Sequence, residues 1–119
     1  MRMFDLYQGA MDAGGEYVLG RKDLHTDACY LIYGILQPGE TDRLMRPGEG
    51  YEEILCAVDG EVLMSTAGGE SLLKAGHALH VKEDESFNIS NPGDRPVVYV
   101  IAGGRTGRND QGGDPRARS

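Results

Sequence analysis

Apolar residues along this chain recur at every second position, not at every third or fourth. "ACYLIYGIL" (28–36) and "PVVYVIA" (96–102) are rich in β-branched and aromatic residues and bounded by turn residues, which reads as strands. The same pattern predicts strands at "EYVLG" (16–20), "YEEILCAV" (51–58), "EVLMST" (61–66), "SLLK" (71–74), "ALHVK" (78–82) and "SFNIS" (86–90). "QPGE", "AGGE", "AGH" and "NPGDRP" supply turns between them. Asp59-Gly60, set between two apolar runs, predicts a tight hairpin whose two central residues take positive φ. No amphipathic helix, internal repeat or domain-splitting linker is visible. Short strands at close, regular spacing predict one all-β domain, a sandwich or small barrel.

The chain has 119 residues, enough for a single core without disulfide staples. Its 18 glycines and 5 prolines are spread along the chain, as many turns require. Twelve basic against 19 acidic residues leave a net charge of −7, which argues against a nucleic-acid partner or an anionic membrane surface. Only "GGRTGRNDQGGDPRARS" (103–119) runs the other way, with Arg105, Arg108, Arg116 and Arg118 and no apolar periodicity, so a mobile Gly/Arg-rich tail is expected there. The first residues show no apolar signal region, and no apolar run reaches membrane-spanning length. Cys29 and Cys56 lie in apolar strands and read as free buried thiols, so a cytoplasmic protein is expected.

Two stretches resemble the paired motifs of the cupin family. In "QPGETDRLMRPGEGYEEILCAVDGE" Gly39 fits the opening glycine, and Glu53 and Gly60 keep the family's E-x6-G spacing. In "LLKAGHALHVKEDESFNISNPGDRPVVYV" the leading Gly69, the turn-and-strand rhythm and the closing Asn91 follow the second motif. The resemblance implies a double-stranded β-helix, or jelly-roll barrel, over residues 28–102, preceded by an N-terminal segment (1–27) carrying an edge strand. It also implies where a metal would sit: two histidines and a glutamate from the first motif, one histidine from the second. Here the first motif's histidine positions fall in "LMRPGE" (44–49), which has none, and Phe87 stands where the second motif has its histidine. Only Glu53 remains, and one carboxylate is not a transition-metal site. No cofactor is therefore expected; the alternative is a divalent metal held by a rebuilt set of His77 and His80 with Glu53 or Glu85.

Strand alternation puts Glu52 and Glu53 on opposite faces, with Glu53 facing the barrel interior if the resemblance holds. A carboxylate there has a raised pKa unless it finds a partner such as Arg46 or Arg43, and could serve as a general acid or base. The plainer reading is a residue held by hydrogen bonds. The expected pocket comprises Arg46, Glu49, Tyr51, Glu53, Leu55, Phe87 and Asn91, apolar with a few polar groups, which suits a small organic ligand. The alternative is a small enzyme, isomerase-, epimerase- or dioxygenase-like, using Glu53. The long apolar strand 28–36 predicts a homodimer formed through the outer sheet.

Overall fold

The computed structural model describes residues 1–107. Its elements run α1 (Leu6–Asp12), β1 (Glu16–Leu19), α2 (Arg21–Leu24), β2 (Cys29–Leu36), β3 (Arg43–Met45), β4 (Tyr51–Asp59), β5 (Val62–Thr66), β6 (Gly69–Leu73), β7 (Ala78–Val81), β8 (Phe87–Ser90) and β9 (Val97–Arg105). The strands form a five-stranded sheet, β1-β2-β9-β4-β7, and a four-stranded sheet, β3-β8-β5-β6. All pairings are antiparallel. The two sheets are not closed into a continuous barrel.

From β2 onward the chain changes sheets at every connection except one, the β5–β6 hairpin. The expected Asp59-Gly60 hairpin is therefore corrected: β4 and β5 belong to different sheets and do not pair. Gly60 alone of the two takes positive φ, at 86°, and a bulge lies between Ala57 and Asp59. A Cβ on Gly60 would meet Val97 Cγ2 at 2.9 Å, so the glycine both turns the corner and lets β9 approach. The local two-residue hairpin is instead at Ala67-Gly68, where Thr66 pairs with Gly69.

Between the sheets, Leu36, Leu55, Ala57, Val62, Ile89, Tyr99 and Ile101 are almost wholly buried, with Met45, Met64, Leu73, Val81, Phe87 and Val97 around them. Asn91 is buried beside this core and fixes two corners. Its side-chain amide donates to the carbonyls of Leu36 (2.9 Å) and Arg95 (2.7 Å), and its Oδ1 accepts from Gly93 N–H. Its backbone bonds Gly39 and Glu40.

Helix α1 departs from the expected all-strand pattern. "DLYQ" is its start signal: Asp5 is the N-cap and accepts from Gln8 N–H at 3.0 Å. The helix is one short element packed on β1 and β2 and leaves the fold class unchanged. The three-residue β3 was not apparent from the alternation, being too brief to show a period. Strand β9 also continues through Gly103–Arg105, three residues into the stretch expected as tail; residues 108–119 lie outside the described residues.

Candidate ligand-binding site

On the inner face of the larger sheet, paired residues share a side, and Tyr30, Gly103, Glu53 and Val81 form one row across β2, β9, β4 and β7. Glu53 is 6% exposed, in line with Leu55 and Ala57 along β4. Its partner is neither Arg46 nor Arg43 but Tyr30, whose hydroxyl donates to Glu53 Oε2 at 2.5 Å. The tyrosine reaches it by lying across Gly103, where a Cβ would stand 2.2 Å from Tyr30 Cζ. Burial pushes the Glu53 pKa up, the Tyr30 hydrogen bond opposes this, and the charge of Glu16 adds to the rise. Burial and the same bond raise the Tyr30 pKa, so the hydroxyl keeps its proton.

The arrangement is repeated with the strands exchanged. Tyr99 on β9 lies across Gly34 on β2, where a Cβ would be 2.0 Å from its ring, and its hydroxyl donates to Glu16 Oε2 at 2.5 Å. Both strands thus carry Tyr-x3-Gly, as "YLIYG" (30–34) and "YVIAG" (99–103), in a register that sets each tyrosine opposite the other's glycine. Arg43 belongs to this second cluster: it donates to the Tyr99 hydroxyl (2.9 Å) and the Gly15 carbonyl (3.3 Å) and pairs with Glu40 (3.1 Å). Those bonds clamp the N-terminal segment onto the sandwich.

At the Glu53 end, Met45 pairs with Phe87, and both rest in the core. Tyr51, two residues before Glu53, meets Tyr30 edge to face, with ring centroids 5.6 Å apart. The Arg105 guanidinium lies 5.9 Å from the Tyr51 ring centroid and pairs with Asp27 at 2.9 Å. Leu79, Val81 and Phe87 help line a cavity of about 470 Å³. A second depression of about 700 Å³ lies between the 46–50 and 82–86 loops, which Gly50 N–H ties together by donating to Glu83 at 2.6 Å. Arg46 and Glu49 line that depression and are exposed. Leu55 is sealed in the core and Asn91 sits in its corner turn, so the seven expected pocket residues divide between interior, rim and scaffold.

The rebuilt metal set is not assembled. His80 is on the outer face, 2.7 Å from Glu52, while Glu53 points inward; His77 is exposed in the β6–β7 turn. Among the described residues no three His, Cys, Asp or Glu side chains are placed to hold a metal ion. The metal that the fold implies does not fit these donors: around Glu53 stand a phenol, a glycine and apolar side chains.

The missed partner had a signal. The alternation that faces Ile32 and Leu36 inward also faces Tyr30 inward, and a buried tyrosine hydroxyl needs an acceptor. Gly103, read as part of a tail, is the space that lets it reach one.

Comparison with solved structures agrees with this architecture. A cupin protein from Bacteroides fragilis superposes with a TM-score of 0.71 at 18% identity, covering 99% of this chain and 93% of that one. The Cupin_2 domain of an XRE family transcriptional regulator from Enterobacter cloacae gives 0.62 at 22% identity, covering 76% and 96%. A predicted oxalate decarboxylase from Thermotoga maritima gives 0.62 at 24% identity, covering 76% and 80%. No protein-family model matches the sequence, and neither does any curated protein. The chain has the cupin fold, a double-stranded β-helix of two antiparallel sheets.

Proposed function

We propose that this chain binds a small organic ligand at the Glu53 end of its cupin sandwich, without a conventional metal site. The observation that carries the reading is the Tyr30–Glu53 pair: a buried carboxylate held by a phenol, in an apolar surround, where the fold family places a metal centre. Such a mixture of apolar wall and few oriented polar groups is what small-molecule sites use. A ligand screen by thermal shift and native mass spectrometry tests it, with Glu53→Leu as the comparison. A ligand that stabilises the wild type and not the variant supports the reading; ligands that stabilise both equally place binding elsewhere.

A second reading, metal-independent acid–base chemistry such as isomerisation or epimerisation, is favoured by one feature. Glu53 has a raised pKa and accepts a hydrogen bond from the Tyr30 hydroxyl, so a carboxylate base stands beside a fixed hydrogen-bond donor. In either reading the protein is a homodimer, formed through the outer face of the larger sheet, where Leu31, Ala102 and Ile54 make an apolar row. No helix among the described residues is long and apolar enough to cross a membrane. The acidic balance suits neither nucleic acid nor an anionic membrane; both cysteines are free, but Cys29 is exposed and Cys56 half-buried instead of sealed in the core as expected, and a cytoplasmic setting would keep both reduced.

A further inference from the structure

We propose that the cavity at the open β6–β7 edge is a second binding site, separate from Glu53, for a small uncharged apolar molecule. The two sheets face each other along two long edges, and the edges differ. Where β1 lies beside β3, Arg43 reaches from the smaller sheet to the Tyr99 hydroxyl and to the Gly15 carbonyl at the start of β1. A Cβ on Gly15 would stand 2.9 Å from Arg43 Nη2, so that seam is filled. At the opposite edge, among the described residues, no hydrogen bond or ion pair joins β6 to β7. The cavity of about 470 Å³ opens there, between β7, the β5–β6 turn and the 84–87 segment. Glu53 does not line it; Val81, its register partner on β7, does.

The lining selects the ligand. Leu79, Val81 and Phe87 form an apolar floor, while Ala67 and Gly68 keep bulk away from the mouth. Apolar surface left to water at such a floor is what an apolar ligand buries. The polar side chains around it are engaged within the protein. His80 bonds Glu52, Glu85 accepts from Lys82 N–H, and Thr66 bonds Gly68 and Gly69. Among the described residues no lysine or arginine lines the cavity, so an anion would meet Asp84 and Glu85 without a counter-charge. Both carboxylates are exposed, where an ion pair with a cationic ligand is worth little. An uncharged molecule is what remains. The volume falls within the range of small-molecule sites, about 300–1,000 Å³, and has room for a fused pair of aromatic rings.

The test titrates indole and its anionic relative indole-3-acetate into the full chain, followed by amide chemical shifts. Indole is expected to bind about tenfold or more tighter than the anion, with the shifts confined to residues 66–68 and 79–87. Leu79→Glu, which places a charge on the floor, is expected to weaken indole by about tenfold or more. Ala67→Leu narrows the mouth from an exposed turn, leaves the core untouched and should weaken indole as well. Leu72→Glu, at a leucine 48% exposed on β6 and outside the lining, should bind indole like the wild type. No binding of indole, shifts centred elsewhere, equal or tighter binding of indole-3-acetate, or binding that survives both Leu79→Glu and Ala67→Leu would each overturn the proposal. Glu53→Leu separates the two sites: it should still bind indole, and loss of indole in a folded Glu53→Leu chain would show that the cavity is not a site of its own. The Glu53 reading stands or falls by its own ligand screen, whichever way indole behaves.

Discussion

Tyr30 donates its hydroxyl proton to Glu53 Oε2 at 2.5 Å, across the backbone of Gly103. Three strands are joined by that one contact: the ring from β2, the bare glycine of β9 and the carboxylate of β4. It satisfies an acid that burial would otherwise leave exposed to a low dielectric with no partner. Removing the donor should cost more than the bond itself is worth, since the acceptor stays behind. Tyr30→Phe is expected to destabilise the fold by about 1–3 kcal/mol in urea unfolding at neutral pH. The Glu53 pKa should rise further in the variant, because the lost bond is the influence that lowers it. A carboxyl carbon titration followed by NMR checks the second effect, and an unchanged Glu53 pKa would show that the bond does not form in solution.

The same acid gives the protein a signature in its pH dependence. The Glu53 pKa is raised in the folded chain above its ordinary value of 4.5. Between 4.5 and the raised value the folded chain holds a proton that the unfolded chain has released, so this group's contribution falls as pH rises through that window. It is flat below the window, where both states are protonated, and flat above it. Wild type compared with Glu53→Gln should therefore lose relative stability on going from acid to neutral pH. Denaturation midpoints of the two proteins across that range, converging towards acid, are the expected result.

Both glycines under the tyrosines are expected to resist substitution. A Cβ at Gly103 would overlap Tyr30, and one at Gly34 would overlap Tyr99, each at 2.2 Å or less from the ring. Gly103→Ala and Gly34→Ala should each cost about 1–3 kcal/mol, by forcing the ring out of place. Gly103→Ala and Tyr30→Phe act on one contact, so the double variant should lose less than the sum of the two. Gly34→Ala and Tyr30→Phe should add more nearly. Chemical unfolding of the three single and two double variants decides it.

The outer face of the larger sheet predicts the assembly. Ile54 is 49% exposed in a row with Leu31 and Ala102. A charge there should weaken a dimer that buries this row, while leaving the inner face untouched. Ile54→Asp is expected to sediment as a monomer at a concentration where the wild type is dimeric. A wild type that is monomeric throughout would remove the homodimer from the account.

Period-two alternation carried most of the strand positions, because it is a local property of the chain. "YEEILCAV" separates Glu52 from Glu53 by face in the sequence alone, and the structure has the first outside, against His80, and the second inside. Pairing partners are another matter. Asp59-Gly60 has hairpin chemistry, but a glycine that turns a corner between sheets looks the same as one that closes a hairpin, and only the register of β4 with β9 and β7 tells them apart. Likewise Tyr30 lies 23 residues from Glu53 in sequence, and nothing local joins them. Arginines nearer in sequence looked like better partners; Arg43 is occupied by Tyr99, Glu40 and Gly15. Helix α1 was legible in principle, since "DLYQ" carries the capping signal, but its seven residues are too few to show a 3.6-residue period.

The central claim is that a phenol–carboxylate pair, and not a metal centre, occupies this end of the sandwich. Elemental analysis of the untagged protein, purified without chelators, tests it most directly. The account predicts far less than one transition-metal ion per chain, with the same value for Glu53→Gln. About one ion per chain in the wild type, lost in Glu53→Gln or in a His77→Ala/His80→Ala variant, would contradict it.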